Sequence, residues 1–255
     1  MTLVRTETVA GVATLTLDSP ANRNALSSAL VHELVSGLDA AVADSAVRVI
    51  VLTHTGPVFC SGADLKETAA ALSGEGVPAG RMGEVLSAIW DSPKPVVARI
   101  AGPARAGGLG LIAAADIAVC TTEATFAFTE VRLGVIPAVI SATVLPRLSP
   151  RSAAELFLTG DTFDGVRAAA VGLVTAAVPA DELDATVDAY VRSLVRGAPT
   201  ALGATKRLLR RGSGPIRDEL AELSRLSVGF FTSAEGREGV AAFAERRDPS
   251  WVPGS

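Results

Sequence analysis

A chain of 255 residues can bury a sizeable core, either as one large domain or as one domain with a helical appendage. Hydrophobic residues make up 49% and aromatic ones only 4%, so that core has to be built from Ala, Val, Leu and Ile. The net charge of -4 and the lack of any long Lys/Arg run exclude a stripe that tracks nucleic-acid phosphates.

Hydropathy and ligand counts narrow the class further. Mean hydropathy is +0.39, yet the most apolar stretch, Gly107 to Cys120, is interrupted by Asp116. It is also shorter than the roughly eighteen apolar residues a membrane span needs. The opening MTLVRTETVA has no charged leader followed by an apolar run, so no signal peptide is expected. Cys60 and Cys120 are too few for a disulfide framework or a zinc site, and only His32 and His54 add further soft ligands. The chain reads as reduced, cytoplasmic and free of metal.

In chain order, Leu3 to Val9 and Val12 to Leu17 alternate like an antiparallel pair with Gly11 at the turn, and Asp18-Ser19-Pro20 breaks the pattern. Leu30, Leu34, Leu38 and Val42 recur at spacing four and predict a helix over about Ser27 to Asp44. Val47 to Leu52 is nearly continuous apolar, as in a strand covered on both faces; Pro95 to Ile100 and Ile117 to Cys120 read the same way. Helices are expected near Ala79 to Asp91 and from Gly107. Strand, crossover helix and strand in repetition argue for a mostly parallel α/β sheet. After Ile140 the strand patterns stop. Helices follow at about Ser149–Leu158, Asp181–Val195, Pro199–Arg210, Ile216–Phe231 and Ala234–Arg246, with Asp161 and Asp164 as candidate caps.

Three segments carry possible chemistry. Cys60-Ser61-Gly62-Ala63-Asp64-Leu65-Lys66 follows a buried strand, and its small residues would let backbone N–H groups approach a ligand. Asp64 can cap the next helical turn, and Lys66 is placed to meet an anion; a capped turn without a ligand explains the same residues. Ala101 to Leu111 places a helix N-terminus at Gly107, which suits an oxyanion or a phosphate. Close helix packing explains these glycines equally. Gly108-Leu109-Gly110-Leu111-Ile112-Ala113 also matches a dinucleotide fingerprint, with Glu130 as its acid. Six residues, however, separate the strand from the glycines, and the following strand ends in Thr121-Thr122 rather than an acid. In Phe126 to Pro137, Glu130 lies among apolar residues: either solvated or paired, with Arg132 as a candidate partner, or held in a pocket that raises its pKa. A serine hydrolase is disfavoured because Ser61 is not framed as G-x-S-x-G. His32 is expected at the surface, and His54 could reach a pocket.

Together these segments resemble the enoyl-CoA hydratase/isomerase (crotonase) family. The ordered set is what is specific: Asn24-Ala25-Leu26, Cys60–Lys66, Ala101–Asp116 and Phe126–Pro137, then Thr159-Gly160-Asp161, Ala170–Val174, and Glu238-Gly239 with Ala242–Arg247. The resemblance implies a crotonase-like α/β spiral core of repeated ββα units over 1–195. A helical region over 196–255 would provide oligomerisation and active-site cover, in a homotrimer or dimer of trimers. It implies an acyl-CoA thioester, with CoA as part of the substrate and no separate cofactor. The thioester carbonyl would sit between two backbone N–H donors, by position Ala63 and Gly107. Ser61, Ala63, Asp64, Leu65 and Lys66 would border the CoA, with Lys66 and Arg246 or Arg247 for its phosphates.

One position departs from the family. Its hydratases commonly carry two glutamates, and this chain has Gly110 at the first position and Glu130 at the second. Two carboxylates can hold and cleave a water between them; one suffices to shuttle a proton between carbons. Glu130 is therefore the expected acid/base group, and three readings stay open. They are hydration of a 2-enoyl-CoA, including branched, methylglutaconyl-CoA-like esters; double-bond isomerisation by Glu130 alone; and acyl-CoA binding without catalysis.

Overall fold

The computed structural model describes residues 2–64, 66–67, 79–210 and 216–250, with backbone only for 79–81. Strands β1 (Val4–Val9) and β2 (Val12–Leu17) form the expected hairpin, with Val9 opposite Val12. Helix α1 (Ser28–Ala43) begins at Ser27, whose hydroxyl accepts from Leu30 N at 3.2 Å, and it buries Leu30, Leu34 and Leu38. Strands β3 (Val49–His54) and β4 (Val96–Ile100) follow, separated in sequence by α2 (Ala79–Trp90). Next come a two-residue β5 (Ala104–Arg105), α3 (Gly107–Ala114), β6 (Ile117–Thr121) and β7 (Thr125–Ala127).

The main sheet runs β1-β2-β3-β4-β6 and is parallel from β2 onward. The continuous apolar runs have the anticipated cause. Ile50 and Leu52 face the large core with Leu30, Leu34 and Leu38, while Val49, Val51, Val97 and Val119 pack with Leu183, Val187 and Val191 of α7 (Leu183–Val195). Alternate residues serve opposite layers, so both faces of these strands favour apolar side chains; Arg99 near the end of β4 is an exception and pairs with Asp184.

The strands do not stop at Ile140. After α4 (Ala138–Val144) and α5 (Pro150–Thr159), β8 (Phe163–Asp164) pairs with β7 in a second, three-stranded sheet. After α6 (Gly165–Ala170), β9 (Ala176–Val178) extends the main sheet beside β6. Strands of two and three residues are too short to show a period, and their partners define them. Asp164 caps α6 by accepting from Arg167 N at 2.8 Å, whereas Asp161 caps nothing and pairs with Arg132.

Helices α8 (Pro199–Leu209), α9 (Ile216–Phe231) and α10 (Ala234–Glu245) end the described chain. Buried Lys206 ties α8 to the core, meeting Asp116 at 2.7 Å and Ile89 O at 3.2 Å. Helix α9 lies on α2 and α4, and α10 lies on the turn that follows β7. Among the described residues no helix is long and apolar enough to cross a membrane.

Candidate active site

The two glycine-bearing turns meet. Arg23 and Asn24 both adopt left-handed backbone, with φ of 52° and 51°. The Asn24 side chain is wholly buried: Nδ2 donates to Thr55 O (3.0 Å) and Val58 O (2.8 Å), and Oδ1 accepts from Ser19 N (2.7 Å). This clamp brings Ser61 N to Arg23 O (3.1 Å) and Leu26 N to Gly62 O (2.8 Å). Gly62 needs its missing side chain. At φ 91°, a Cβ there would lie 3.0 Å from Ala106 Cβ and 3.5 Å from Gly107 N.

Ala106, just before α3, holds φ 46° and ψ -116°, a conformation costing a non-glycine residue about 1–3 kcal/mol. Such strain is kept where surrounding contacts over-determine it. Here Ala106 N donates to Ala127 O at 3.2 Å and Arg105 N to Cys60 O at 3.0 Å. Among the described residues, neither Ala63 N–H nor Gly107 N–H donates to a protein acceptor, and both residues line one cavity of about 430 Å³.

Glu130 enters that cavity from a 3-10 turn, Glu130–Leu133, which Gly134 terminates at φ 67°. Buried Phe126 and Phe128 anchor the preceding segment. Glu130 is 9% exposed, and its Oε2 is buried without a hydrogen-bond partner. Burial raises its pKa to about 7, against a small opposing effect of its own backbone N–H. Arg132 is not its partner, for it turns away to Asp161 and Thr159 O. The solvated or paired reading of Glu130 therefore fails.

The cavity gathers Ser61, Ala63, Gly107 and Glu130, and also Arg247, from the expected residues. Arg247 Nη1 and Nη2 pair with Glu238 (2.7 and 3.0 Å), and Nε with Glu245 (2.6 Å). Arg246 is an exposed left-handed helix cap and does not line the cavity. Exposed Lys66 does not line it either, and Asp64 Oδ1 instead caps Lys66 N (2.9 Å) and Glu67 N (3.3 Å). Leu65 lies outside the described residues.

Gly110 is absent from the cavity wall. It faces α4, where a Cβ would lie 2.6 Å from Ile140 Cγ2 and 3.3 Å from Leu86 Cδ2. Ile140, itself in the wall, fills the space a side chain at 110 would take. Packing thus accounts for both glycines of the dinucleotide fingerprint: Gly110 lets α3 lie on α4, and Gly108 makes room for Cys60, which a Cβ there would meet at 2.9 Å.

Exposed His32 and buried His54 stay outside the cavity; His54 Nε2 accepts from Ala101 N at 3.2 Å, and burial lowers its pKa. Cys60 and Cys120 are buried thiols whose pKa values are pushed up to about 12, which leaves them protonated and poor nucleophiles. Among the described residues no three His, Cys, Asp or Glu side chains gather as a metal site. Ile140 and Phe231 in the cavity wall carry no signal of their own in the sequence, whereas Asn24 and Phe243 stand in the Asn-Ala-Leu and C-terminal motifs without a role assigned to either.

A parallel spiral sheet with crossover helices, enclosing an apolar cavity beneath C-terminal helices, is the crotonase fold. The family model described as "Enoyl-CoA hydratase/isomerase" matches residues 7–253, and the chain belongs to that family. Among solved structures it is similar to a putative enoyl-CoA hydratase of Mycobacterium avium paratuberculosis, with 46% identity and a TM-score of 0.90, covering 98% of this chain and 100% of the other. A probable enoyl-CoA hydratase of Rhodobacter capsulatus is 36% identical over 98% of this chain and 97% of its own. A carnitinyl-CoA dehydratase of Proteus mirabilis is 34% identical over 92% of each.

Proposed function

We propose that the protein adds water to, or removes it from, a 2-enoyl-CoA thioester, with Glu130 moving the proton. The observation that carries this is a buried carboxyl with a pKa of about 7 whose Oε2 has no hydrogen-bond partner, sharing one apolar cavity with two backbone N–H groups that donate to no protein acceptor among the described residues. Names among the relatives support the substrate class: a probable enoyl-CoA hydratase and a carnitinyl-CoA dehydratase.

In the proposed reaction Ala63 N–H and Gly107 N–H receive the thioester oxygen, which gains negative charge as the enolate forms. Each such donor typically contributes about 3 kcal/mol to the transition state. A carboxyl with a pKa of about 7 is roughly half ionised at neutral pH, so one group serves both directions. As carboxylate, Glu130 takes a proton from water while the water oxygen bonds to Cβ. The resulting acid then protonates Cα, the enolate collapses, and the carboxylate is restored. No second carboxyl is needed for this balance.

Isomerisation is the second reading, favoured by Ile140 standing where another catalytic side chain could project. There Glu130 would carry a proton between Cα and Cγ. A panel of 2-enoyl-, 3-enoyl- and branched enoyl-CoA esters in heavy water, followed by mass spectrometry, separates the two. Water addition supports the first reading, deuterium exchange with bond migration the second, and inertness of every ester refutes both. Glu130→Gln is expected to abolish turnover while CoA-ester binding persists; an active variant removes Glu130 from the role. We place the enzyme in the cytoplasm as a homotrimer or a dimer of trimers, checked by light scattering.

A further inference from the structure

The turn that carries Glu130 is gripped from two sides. On one side Arg132 Nε and Nη2 donate to Thr159 O, both at 3.3 Å, and Nη2 pairs with Asp161. On the other side α10 lies directly on the turn, and Gly239 is at the contact. A Cβ at Gly239 would lie 2.9 Å from Leu133 Cα and closer still to its carbonyl carbon and oxygen. Backbone cannot fold aside as a long side chain can, so only glycine lets the helix come this near.

Helix α10 is braced at both ends. Ser233 Oγ accepts from Gly236 N at 3.0 Å, and Glu238 is locked to Arg247 beyond the last turn. Phe243 and Arg247, with Ser227 and Phe231 of α9, also roof the cavity. The helix that touches the Glu130 turn therefore also covers the cavity that holds the carboxyl.

That cover matters because, among the described residues, burial and no neighbouring charge raises the proton affinity of Glu130. Arg132 is committed to Asp161, and Arg247 to Glu238 and Glu245. Arg105 donates to Ala104 O (2.8 Å) and Thr125 O (2.6 Å), and Arg23 is exposed at the rim. On α10, Glu235 is exposed and Arg237 donates to Thr232 O (2.7 Å); on α5, Glu155 pairs with Arg167 and Arg151 is exposed.

We infer that Gly239 is a positioning residue: by seating α10 on the Leu133 backbone it fixes the aim of Glu130 and keeps water from its carboxyl. The inference rests on Glu130 being the proton-transfer group. An alanine at 239 would force the helix to withdraw by about 1 Å, a misplacement that can cost about 100-fold in rate. Elsewhere in a helix the same change would be mildly stabilising.

The test compares wild type with Gly239→Ala, Val240→Ala and Gly229→Ala. Val240 is buried on α10, and its truncation loosens the seat without a clash; a Cβ at Gly229 meets nothing within 4 Å. Infrared titration follows the Glu130 carboxyl band, identified by its loss in Glu130→Gln, and kinetics use the enoyl-CoA with the fastest turnover. Gly239→Ala is expected to lower the Glu130 pKa towards the ordinary carboxylate range and to reduce kcat about 100-fold, with KM little changed. Val240→Ala should move both in the same direction by less, and Gly229→Ala should move neither. A folded Gly239→Ala, or Val240→Ala should the first not fold, with wild-type titration and kcat overturns the inference. An active Glu130→Gln would remove the catalytic reading alone, because the infrared titration reports the seat of α10 without turnover.

Discussion

Installing a side chain at position 110 tests the packing of α3 on α4 and its consequence for the chemistry. Gly110→Ala places a methyl 2.6 Å from Ile140 Cγ2 and 3.1 Å from Ile140 Cβ. Both residues are buried and β-branched Ile140 has few rotamers, so the helices must part. Overpacking of this kind costs about 1–3 kcal/mol, against roughly 0.5–1 kcal/mol gained in helix propensity. The net expectation is a destabilisation of about 1 kcal/mol. Ile140→Ala alone should cost about 2–5 kcal/mol through the cavity it leaves. In the double variant the new methyl occupies part of that cavity, so the loss should fall short of the sum by about 1–3 kcal/mol. Urea denaturation of the four proteins measures the coupling. Additive losses would refute the contact. The functional counterpart follows: Gly110→Glu alone should fail to fold stably, while Gly110→Glu with Ile140→Ala should admit the carboxylate and speed hydration of a simple enoyl-CoA. Faster hydration from Gly110→Glu alone would show that Ile140 does not block the site.

Three further outcomes are expected. Glu130 titrates near 4.5 when unfolded and about 7 when folded, so folding stability is lost as pH rises through that window. Glu130→Gln removes the penalty and should be more stable than wild type by about 3 kcal/mol above pH 7, with no gain at pH 4; chemical melts at both values decide it. Ala106→Gly relieves the left-handed strain at the α3 cap and should raise the melting temperature slightly, while kcat falls as the Gly107 N–H loses its fixed aim. A lower melting temperature would show that the alanine is unstrained. Lys206→Ala leaves Asp116, among the described residues, with Arg210 and Val96 N, and should cost about 3 kcal/mol in a urea melt; a loss below about 1 kcal/mol would show that α8 is not held there.

The patterns that repeat along the chain were legible. Leu30, Leu34 and Leu38 marked α1, and the unbroken apolar run at β3 marked a strand between two layers, because each follows from local periodicity and two-sided burial. The ordered small-residue turns at Ala63 and Gly107, with Glu130 downstream, were equally visible and sufficed for the family. Distance across the fold decided the rest. Strands β8 and β9 exist only through partners 30 or more residues away in sequence. Arg132 neighbours Glu130 in sequence, but the 3-10 turn sends it to Asp161 and leaves the carboxyl unpaired. Sequence shows that Gly110 lacks a side chain; the approach of α4 shows that Ile140 has taken its room. The proton affinity of Glu130 belongs to the same class, since desolvation depends on every element around the cavity, down to the contact of Gly239 with Leu133.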